Sequence, residues 1–94
     1  MEQVIEAPSV LTLDERASFR RDAVARLARM DEGDCLVIDL AATQSVDSAG
    51  LGTLIVVRRH AEGRRLGVRL TRPSSEMRVL LRLTKLDQLF DVEE

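Results

Sequence analysis

Apolar residues occur along this chain as short continuous runs, separated by segments in which they recur every three or four positions. The runs at residues 4–5, 35–40 and 67–71 predict three short buried strands. The last apolar stretch, residues 88–92, predicts either an edge strand or a docked tail. The pattern therefore predicts a sheet of three or four strands.

The segments with helical spacing predict three helices. The first covers residues 14–30, and its apolar face consists of Phe19, Ala23, Leu27 and Met30. The second begins near Ser48 and runs to about Ala61, with Gly63 in the left-handed position that often follows a helix.

The third helix follows Pro73, with Ser74 or Ser75 as its amino-terminal cap. Its inward residues are predicted to be Met77, Leu80, Leu81 and Leu83. Strands alternate with helices throughout, which indicates parallel pairing with right-handed crossovers. We therefore predict one α/β domain over residues 1–94, with about four strands in a mixed, mostly parallel sheet and three to four helices.

The loop before the second helix carries the most informative polar residues. Ser48 falls where a strand's carboxyl end leads into a helix amino terminus, the edge of an α/β sheet at which sites often occur. Free backbone N–H groups and the helix dipole at this position would stabilise a phosphate. Gly50 and Gly52 lack a Cβ and would let a partner approach the backbone. From the residues alone, Ser48 is either only the helix cap or an acceptor of a phosphoryl group.

Two kinds of active site are excluded for Ser48. A serine nucleophile needs a base, but His60 is the only histidine and lies about 18 Å along the same predicted helix at 1.5 Å per residue. A phosphate-binding P-loop closes in Gly-Lys-Ser or Gly-Lys-Thr, and residues 45–53 contain no lysine. We therefore expect no enzymatic activity.

Composition and charge narrow the classes of partner. The chain of 94 residues is 45% hydrophobic and 32% charged, as is usual for soluble domains, and its net charge of -2 argues against nucleic-acid binding. The only cysteine, Cys35, excludes an intrachain disulfide and is expected to act as a small core residue. Residues 1–10 resemble neither a signal peptide nor a membrane span, so we expect a cytoplasmic protein without metal or cofactor.

Three charged features remain from the sequence. Asp39 lies inside an apolar strand, and we expect its carboxylate to lie near the Ser48 loop. His60 is interpreted as a solvated residue near a helix end. A basic cluster consists of Arg58, Arg59, Arg64 and Arg65. We interpret it as a solvent-exposed face; the alternative is that it binds an acidic partner.

Residues 37–57, with the sequence VIDLAATQSVDSAGLGTLIVV, closely resemble the signature of the STAS domain of bacterial anti-sigma-factor antagonists and sulfate transporters. In that family a strand ending in Asp-Leu precedes a short loop, Val-Asp-Ser/Thr-Ser/Ala-Gly-Leu and a helix. The matching residues are Asp39, Leu40, Val46, Asp47, Ser48, Ala49, Gly50 and Leu51. A looser similarity extends over nearly the whole chain, including residues 64–90.

The resemblance implies that Ser48 is the serine that a partner kinase phosphorylates. It implies an anti-sigma-factor antagonist that regulates transcription in a partner-switching pathway, binding an anti-sigma factor or serine kinase. The expected partner surface also includes the exposed side of the second helix and the loop over residues 9–14 if it lies beside Ser48. Its named residues are Thr12, Asp14, Gln44, Ser45, Val46, Asp47, Ser48, Ala49, Gly50, Leu51 and Gly52.

Two alternative functions belong to other classes of protein. The Leu-Thr-Leu sequence at residues 11–13 resembles short STAS proteins that act as accessory subunits of the ATPase in ABC-type lipid transporters. A nucleotide-binding signalling module is the other alternative. Neither interpretation involves insertion into a membrane. Both are compatible with a homodimer.

Overall fold

The computed structural model describes residues 1–93, which form six strands, three helices and one 3₁₀ turn. In chain order they are β1 Glu2–Glu6, β2 Val10–Leu11, α1 Arg16–Leu27, β3 Cys35–Asp39, β4 Ser45–Val46, α2 Ser48–Gly63, β5 Gly67–Thr71, α3 Ser75–Leu83, the 3₁₀ turn Leu86–Gln88 and β6 Asp91–Glu93. The three strands predicted from apolar runs are present. The last apolar stretch ends in the edge strand β6.

Four strands form the main sheet in the order β1-β3-β5-β6, and every pair is parallel. Strands β2 and β4 form a separate two-stranded parallel pair. The predicted fold class, a small α/β domain with a mostly parallel four-stranded sheet, is confirmed. The strands of the main sheet follow one another in the sheet in the same order as along the chain. Right-handed crossovers through α1, α2 and α3 produce this order when all three helices cover one face of the sheet.

Alternation along the strands separates a core face from an open face. On the core face the fully buried strand residues are Leu36, Ile38 and Leu70. On the opposite face Arg69 of β5 forms ion pairs with Glu2 of β1, Nη2–Oε2 2.6 Å, and with Glu93 of β6, Nε–Oε2 2.8 Å. One arginine of an inner strand therefore links both edge strands of the sheet.

Helix α1 buries the face that its spacing predicts. Phe19, Ala23 and Leu27 are at most 4% exposed, and Met30 is buried just beyond the end of the helix. The helix begins at Arg16 instead of at Asp14, because residues 12–15 form a turn in which the Thr12 carbonyl accepts hydrogen bonds from the Glu15 and Arg16 N–H groups. The predicted helix was therefore too long at both ends.

Helix α2 continues through Gly63, so the prediction that Gly63 follows it in the left-handed position is wrong. The left-handed residue is Arg65, with φ 58°. The Arg65 N–H donates to Glu62 and the Leu66 N–H donates to Ala61, which is the Schellman arrangement at a helix end. Buried Leu66 accompanies these bonds and directs the chain into β5.

Helix α3 confirms one prediction and corrects another. Ser74 is its cap, and the Ser74 Oγ accepts a hydrogen bond from the Met77 N–H at 3.1 Å. Met77 and Leu81 are buried and Leu80 is half-buried, but Leu83 is 76% exposed. Leu83 lies two positions after Leu81, about 200° around the helix, so it faces away from the core.

Candidate functional site

The pair β2–β4 brings residues 9–14 next to the loop that precedes α2. The Gln44 N–H donates to the Ser9 carbonyl at 2.8 Å, and the Asp47 N–H donates to the Leu11 carbonyl at 3.3 Å. The Leu13 N–H donates to Asp47 Oδ2 at 3.2 Å. The condition for including residues 9–14 in the predicted surface, that they lie beside the Ser48 loop, is therefore met.

Asp47, not Ser48, is the amino-terminal cap of α2. Asp47 Oδ1 accepts a hydrogen bond from the Gly50 N–H at 2.8 Å, and its main-chain carbonyl accepts from the Leu51 N–H at 3.0 Å. One Asp47 carboxylate thus binds both the first turn of α2 and the segment after β2. The interpretation of Ser48 as the helix cap is wrong, because the preceding aspartate already occupies that position.

Ser48 is the first residue within α2, and its side chain is exposed. Within residues 1–93, the Ser48 hydroxyl has no hydrogen-bond partner, and neither do the N–H groups of Ser48 and Ala49. These two free N–H groups lie at the positive end of the helix dipole. The hydroxyl is therefore accessible beside two free donors and has no structural role of its own.

Gly50 and Gly52 have different roles, although the sequence suggests the same role for both. A Cβ on Gly50 would lie 2.0 Å from the Leu11 carbonyl oxygen and 2.8 Å from Val46 Cγ2. Gly50 thus allows α2 to pack against β2, and the prediction that it admits a partner is wrong. A Cβ on Gly52 would meet nothing within 4 Å, so of these two glycines Gly52 is the one that leaves open space on the helix surface.

The remaining predicted surface residues divide by exposure. Gln44, Ser45, Asp47 and Asp14 are exposed, Thr12, Val46 and Ala49 are half-buried, and Leu51 is buried with Gly50. Leu51 therefore supports the site from the core instead of lining its surface. Within residues 9–14 the structure also exposes two apolar side chains that the sequence did not single out, Leu13 at 58% and Val10 at 40% exposure.

A groove of about 220 Å³ separates the loop before α2 from α3. Its walls are formed by Thr43, Gln44, Ser45 and Val46 on one side and by Ser74, Glu76, Met77 and Leu80 on the other. The Thr43 Oγ1 donates to the Pro8 carbonyl at 2.9 Å and fixes the start of this loop. The partner surface predicted from sequence is thus continuous with the first half of α3.

The buried carboxylate of Asp39 bonds to Arg72 and Ala41 and, within residues 1–93, forms no hydrogen bond with the Ser48 loop, so its expected position near that loop stays a prediction. Asp39 Oδ1 accepts from Arg72 Nε at 3.3 Å and from the Ala41 N–H at 3.0 Å, and Asp39 Oδ2 pairs with Arg72 Nη2. These hydrogen bonds, first from Arg72 and then from Ala41, hold the pKa of Asp39 below its usual range. The carboxylate therefore fixes the turn before α3, where Arg72 has φ 54°.

Other titratable groups suggest no metal or thiol chemistry. Among residues 1–93, no three His, Cys, Asp or Glu side chains are placed to hold a metal ion. Partial burial raises the pKa of the Cys35 thiol, which disfavours the reactive thiolate. In the same part of the chain, no helix is long and apolar enough to cross a membrane.

Comparison with known proteins agrees with this fold and signature. The sequence model of the family described as "Mlab, STAS domain" matches residues 1–91. A STAS-domain-containing protein of Pseudomonas aeruginosa (strain UCBPP-PA14) is 35% identical over 72 residues, which cover 77% of this chain and 69% of that protein.

Solved structures with low sequence identity share the fold. An anti-sigma-factor antagonist (STAS) domain protein from Planctomyces limnophilus superposes with a TM-score of 0.85 at 17% identity, over 97% of this chain and 80% of that chain. A sulfate transporter family protein from Wolinella succinogenes superposes with a TM-score of 0.78 at 12% identity, over 98% of this chain and 75% of that chain. The chain is a small α/β domain of the STAS class. It belongs to the STAS domain family.

Proposed function

We propose that this protein is an anti-sigma-factor antagonist-like regulator that binds a protein partner through the surface around Ser48 and releases it when Ser48 is phosphorylated. The exposed, unbonded Ser48 hydroxyl is the observation that carries the proposal. Because Asp47 caps α2, the helix does not need the Ser48 hydroxyl. A kinase can modify this serine without removing a hydrogen bond from the fold.

A phosphate on Ser48 is compatible with the folded domain. It would lie beside the free Ser48 and Ala49 N–H groups at the positive end of α2, where a negative charge stabilises a helix by about 0.3–1 kcal/mol. The modified protein therefore stays folded. The effect of the phosphate is exerted on the partner that docks on this surface.

The same phosphate would oppose docking for two physical reasons. It adds about -1.5 to -2 charges next to the Asp47 carboxylate, and it places a strongly hydrated group on the surface that includes exposed Leu13, whose N–H donates to Asp47. A partner that covers Leu13 and Ser48 would have to desolvate that charge. Phosphorylation is therefore expected to weaken binding and not to strengthen it.

A second candidate function is constitutive binding to the ATPase of an ABC-type transporter. The match to the family described as "Mlab, STAS domain" and the exposed apolar Leu13 of the Leu-Thr-Leu sequence favour it. In that function the same surface binds its partner permanently. Ser48 would then contribute contact area but no switch.

Binding measurements on four proteins separate these two functions. The partner that copurifies with the native protein is titrated with wild type, Ser48→Ala, Ser48→Asp and the control Ser18→Asp, which adds the same charge at an exposed serine of α1. The switch predicts that Ser48→Asp alone weakens binding by about tenfold or more. Equal affinities for all four proteins, without phosphate on the native protein, would instead support the constitutive subunit.

A further inference from the structure

Helices α1 and α2 form an open groove of about 450 Å³ that the proposed function does not use. Its lining consists of Ala17, Arg20, Arg21, Val24, Ala25 and His60. Three of these residues are small or apolar, and three carry nitrogen donors. No acidic side chain lines the groove.

The lining residues of α1 occupy one helical face. Ala17, Arg20, Arg21 and Val24 are spaced at i, i+3, i+4 and i+7, which places them side by side. Asp22, the acidic residue within α1, lines a different groove against β1 together with Arg26 and Arg29. The positive charge of the α1–α2 groove is therefore not neutralised by its own helix.

Arg20 and Arg21 differ from the paired arginines of the protein. Neither has an ion pair or a side-chain hydrogen bond with any residue from 1 to 93. Arginines with ion pairs include Arg58 with Glu62, Arg65 with Glu32, Arg69 with Glu2 and Glu93, and Arg72 with Asp39. In a chain of net charge -2, two adjacent arginines without an ion pair among residues 1–93 therefore lie beside small and apolar residues in this groove.

We propose that the α1–α2 groove is a second docking site, which binds an acidic segment of a protein partner that also carries an apolar side chain. The partner's carboxylates would pair with Arg20 and Arg21, and His60 offers a ring N–H donor in either protonation state. The apolar side chain would contact Val24 and the methyl groups of the two alanines. The groove therefore matches an amphipathic acidic segment.

The shape of the groove favours a peptide segment over an anionic membrane surface. Ala17 and Ala25 flank Arg20 and Arg21 along α1, and Val24 is the largest apolar side chain in the lining. A membrane-binding surface would present large apolar side chains that project beyond the charged ones. Binding to anionic vesicles is accordingly the competing result of the test.

The groove is separate from the Ser48 surface. His60 lies twelve residues after Ser48 in α2, about 18 Å along the helix axis at 1.5 Å per residue. The groove shares no lining residue with the Ser48 surface, and Ala17 at its other end lies three residues after Asp14.

The test is a fluorescence titration with a synthetic peptide that has glutamates on one helical face and two leucines on the other. A peptide with glutamine in place of glutamate is the ligand control. We expect wild type to bind the acidic peptide, and Arg20→Glu with Arg21→Glu to weaken that binding by about tenfold or more. The control protein carries Arg29→Glu with Arg82→Glu, an equal charge change at exposed positions outside the groove, and should retain binding.

Three results would overturn this proposal. An equal loss of affinity in the control protein would indicate nonspecific attraction. Absence of binding by wild type at low salt would exclude an acidic segment. Binding to phosphatidylglycerol vesicles but not to the peptide would assign the groove to a membrane surface. Circular dichroism of both double variants distinguishes lost contacts from lost folding.

Discussion

Asp47 and Ser48 are adjacent residues with different roles at the start of α2, and substitution to alanine separates them. Asp47→Ala removes the hydrogen bonds to the Gly50 and Leu13 N–H groups and should lower the free energy of unfolding by about 1–2 kcal/mol. Ser48→Ala removes no hydrogen bond to residues 1–93 and should change the free energy of unfolding by less than about 0.5 kcal/mol. Urea denaturation of the two variants measures both values, and a larger loss for Ser48→Ala would contradict the assignment of the cap.

Gly50 and Gly52 offer a matched pair of substitutions within one helix. Gly50→Ala would force a Cβ against the Leu11 carbonyl oxygen and should destabilise the domain by about 3 kcal/mol. Gly52→Ala meets open space and should stabilise it by about 0.5–1 kcal/mol, because alanine favours a helix over glycine. Thermal denaturation checks the sign of each change. Similar values for both variants would show that α2 does not pack closely on β2.

The sequence identifies the residues of the Ser48 loop but not the structural role of each one. Aspartate and serine are both common caps, so Asp47-Ser48 is ambiguous until the path of the chain is known. The role of Gly50 depends on the Leu11 carbonyl, 39 residues earlier in the chain, which no local pattern reveals. Exposure of Ser48 and burial of Gly50 follow from contacts distant in sequence.

At the scale of elements, Asp39 and Arg72 connect the end of β3 to the turn before α3. Because the pKa of Asp39 is lowered in the folded protein, its ionised form stabilises the fold above the usual aspartate pKa of about 3.9, and this contribution disappears as pH falls through the lower folded pKa. Wild type should therefore be more stable than Asp39→Asn at neutral pH, with a difference that shrinks in acid.

Urea denaturation across this pH range measures that difference. Asp14→Asn is the matched control, since it removes an exposed carboxylate that forms no ion pair within the described residues. A stability difference between wild type and Asp39→Asn that does not vary with pH would contradict the role of the Asp39–Arg72 pair.

The sequence predicts the helices and strands that are long enough to show an apolar run or a periodic pattern. It does not predict the two strands that contain only two residues each. The apolar run predicts β3 because four buried positions follow one another, and it predicts β5 through half-buried Val68 and buried Leu70. Strands β2 and β4 contain two residues each, which is too short for any periodicity, yet they bring residues 9–14 to the site. The end of α2 was misplaced because Arg65 adopts the left-handed conformation that glycine usually occupies.

At the scale of the whole molecule, Ser48 and the groove residue His60 lie twelve residues apart on α2. A charge at Ser48, about 18 Å from His60 along the helix, is largely screened at physiological salt, where the Debye length is about 8 Å. We therefore expect Ser48→Asp to leave affinity for the acidic peptide unchanged within about twofold. Fluorescence titration of this variant checks the expectation, and a large change would show that the two surfaces are coupled.

The central claim is that Ser48 is a phosphoacceptor whose modification controls partner binding. The most direct measurement is the intact mass of the protein from its native cells, before and after phosphatase treatment, with Ser48→Ala as control. We predict one phosphate on part of the wild-type protein, removed by phosphatase and absent from Ser48→Ala. An unmodified mass under several growth conditions, with a partner that binds both proteins equally, would contradict the phosphorylation switch.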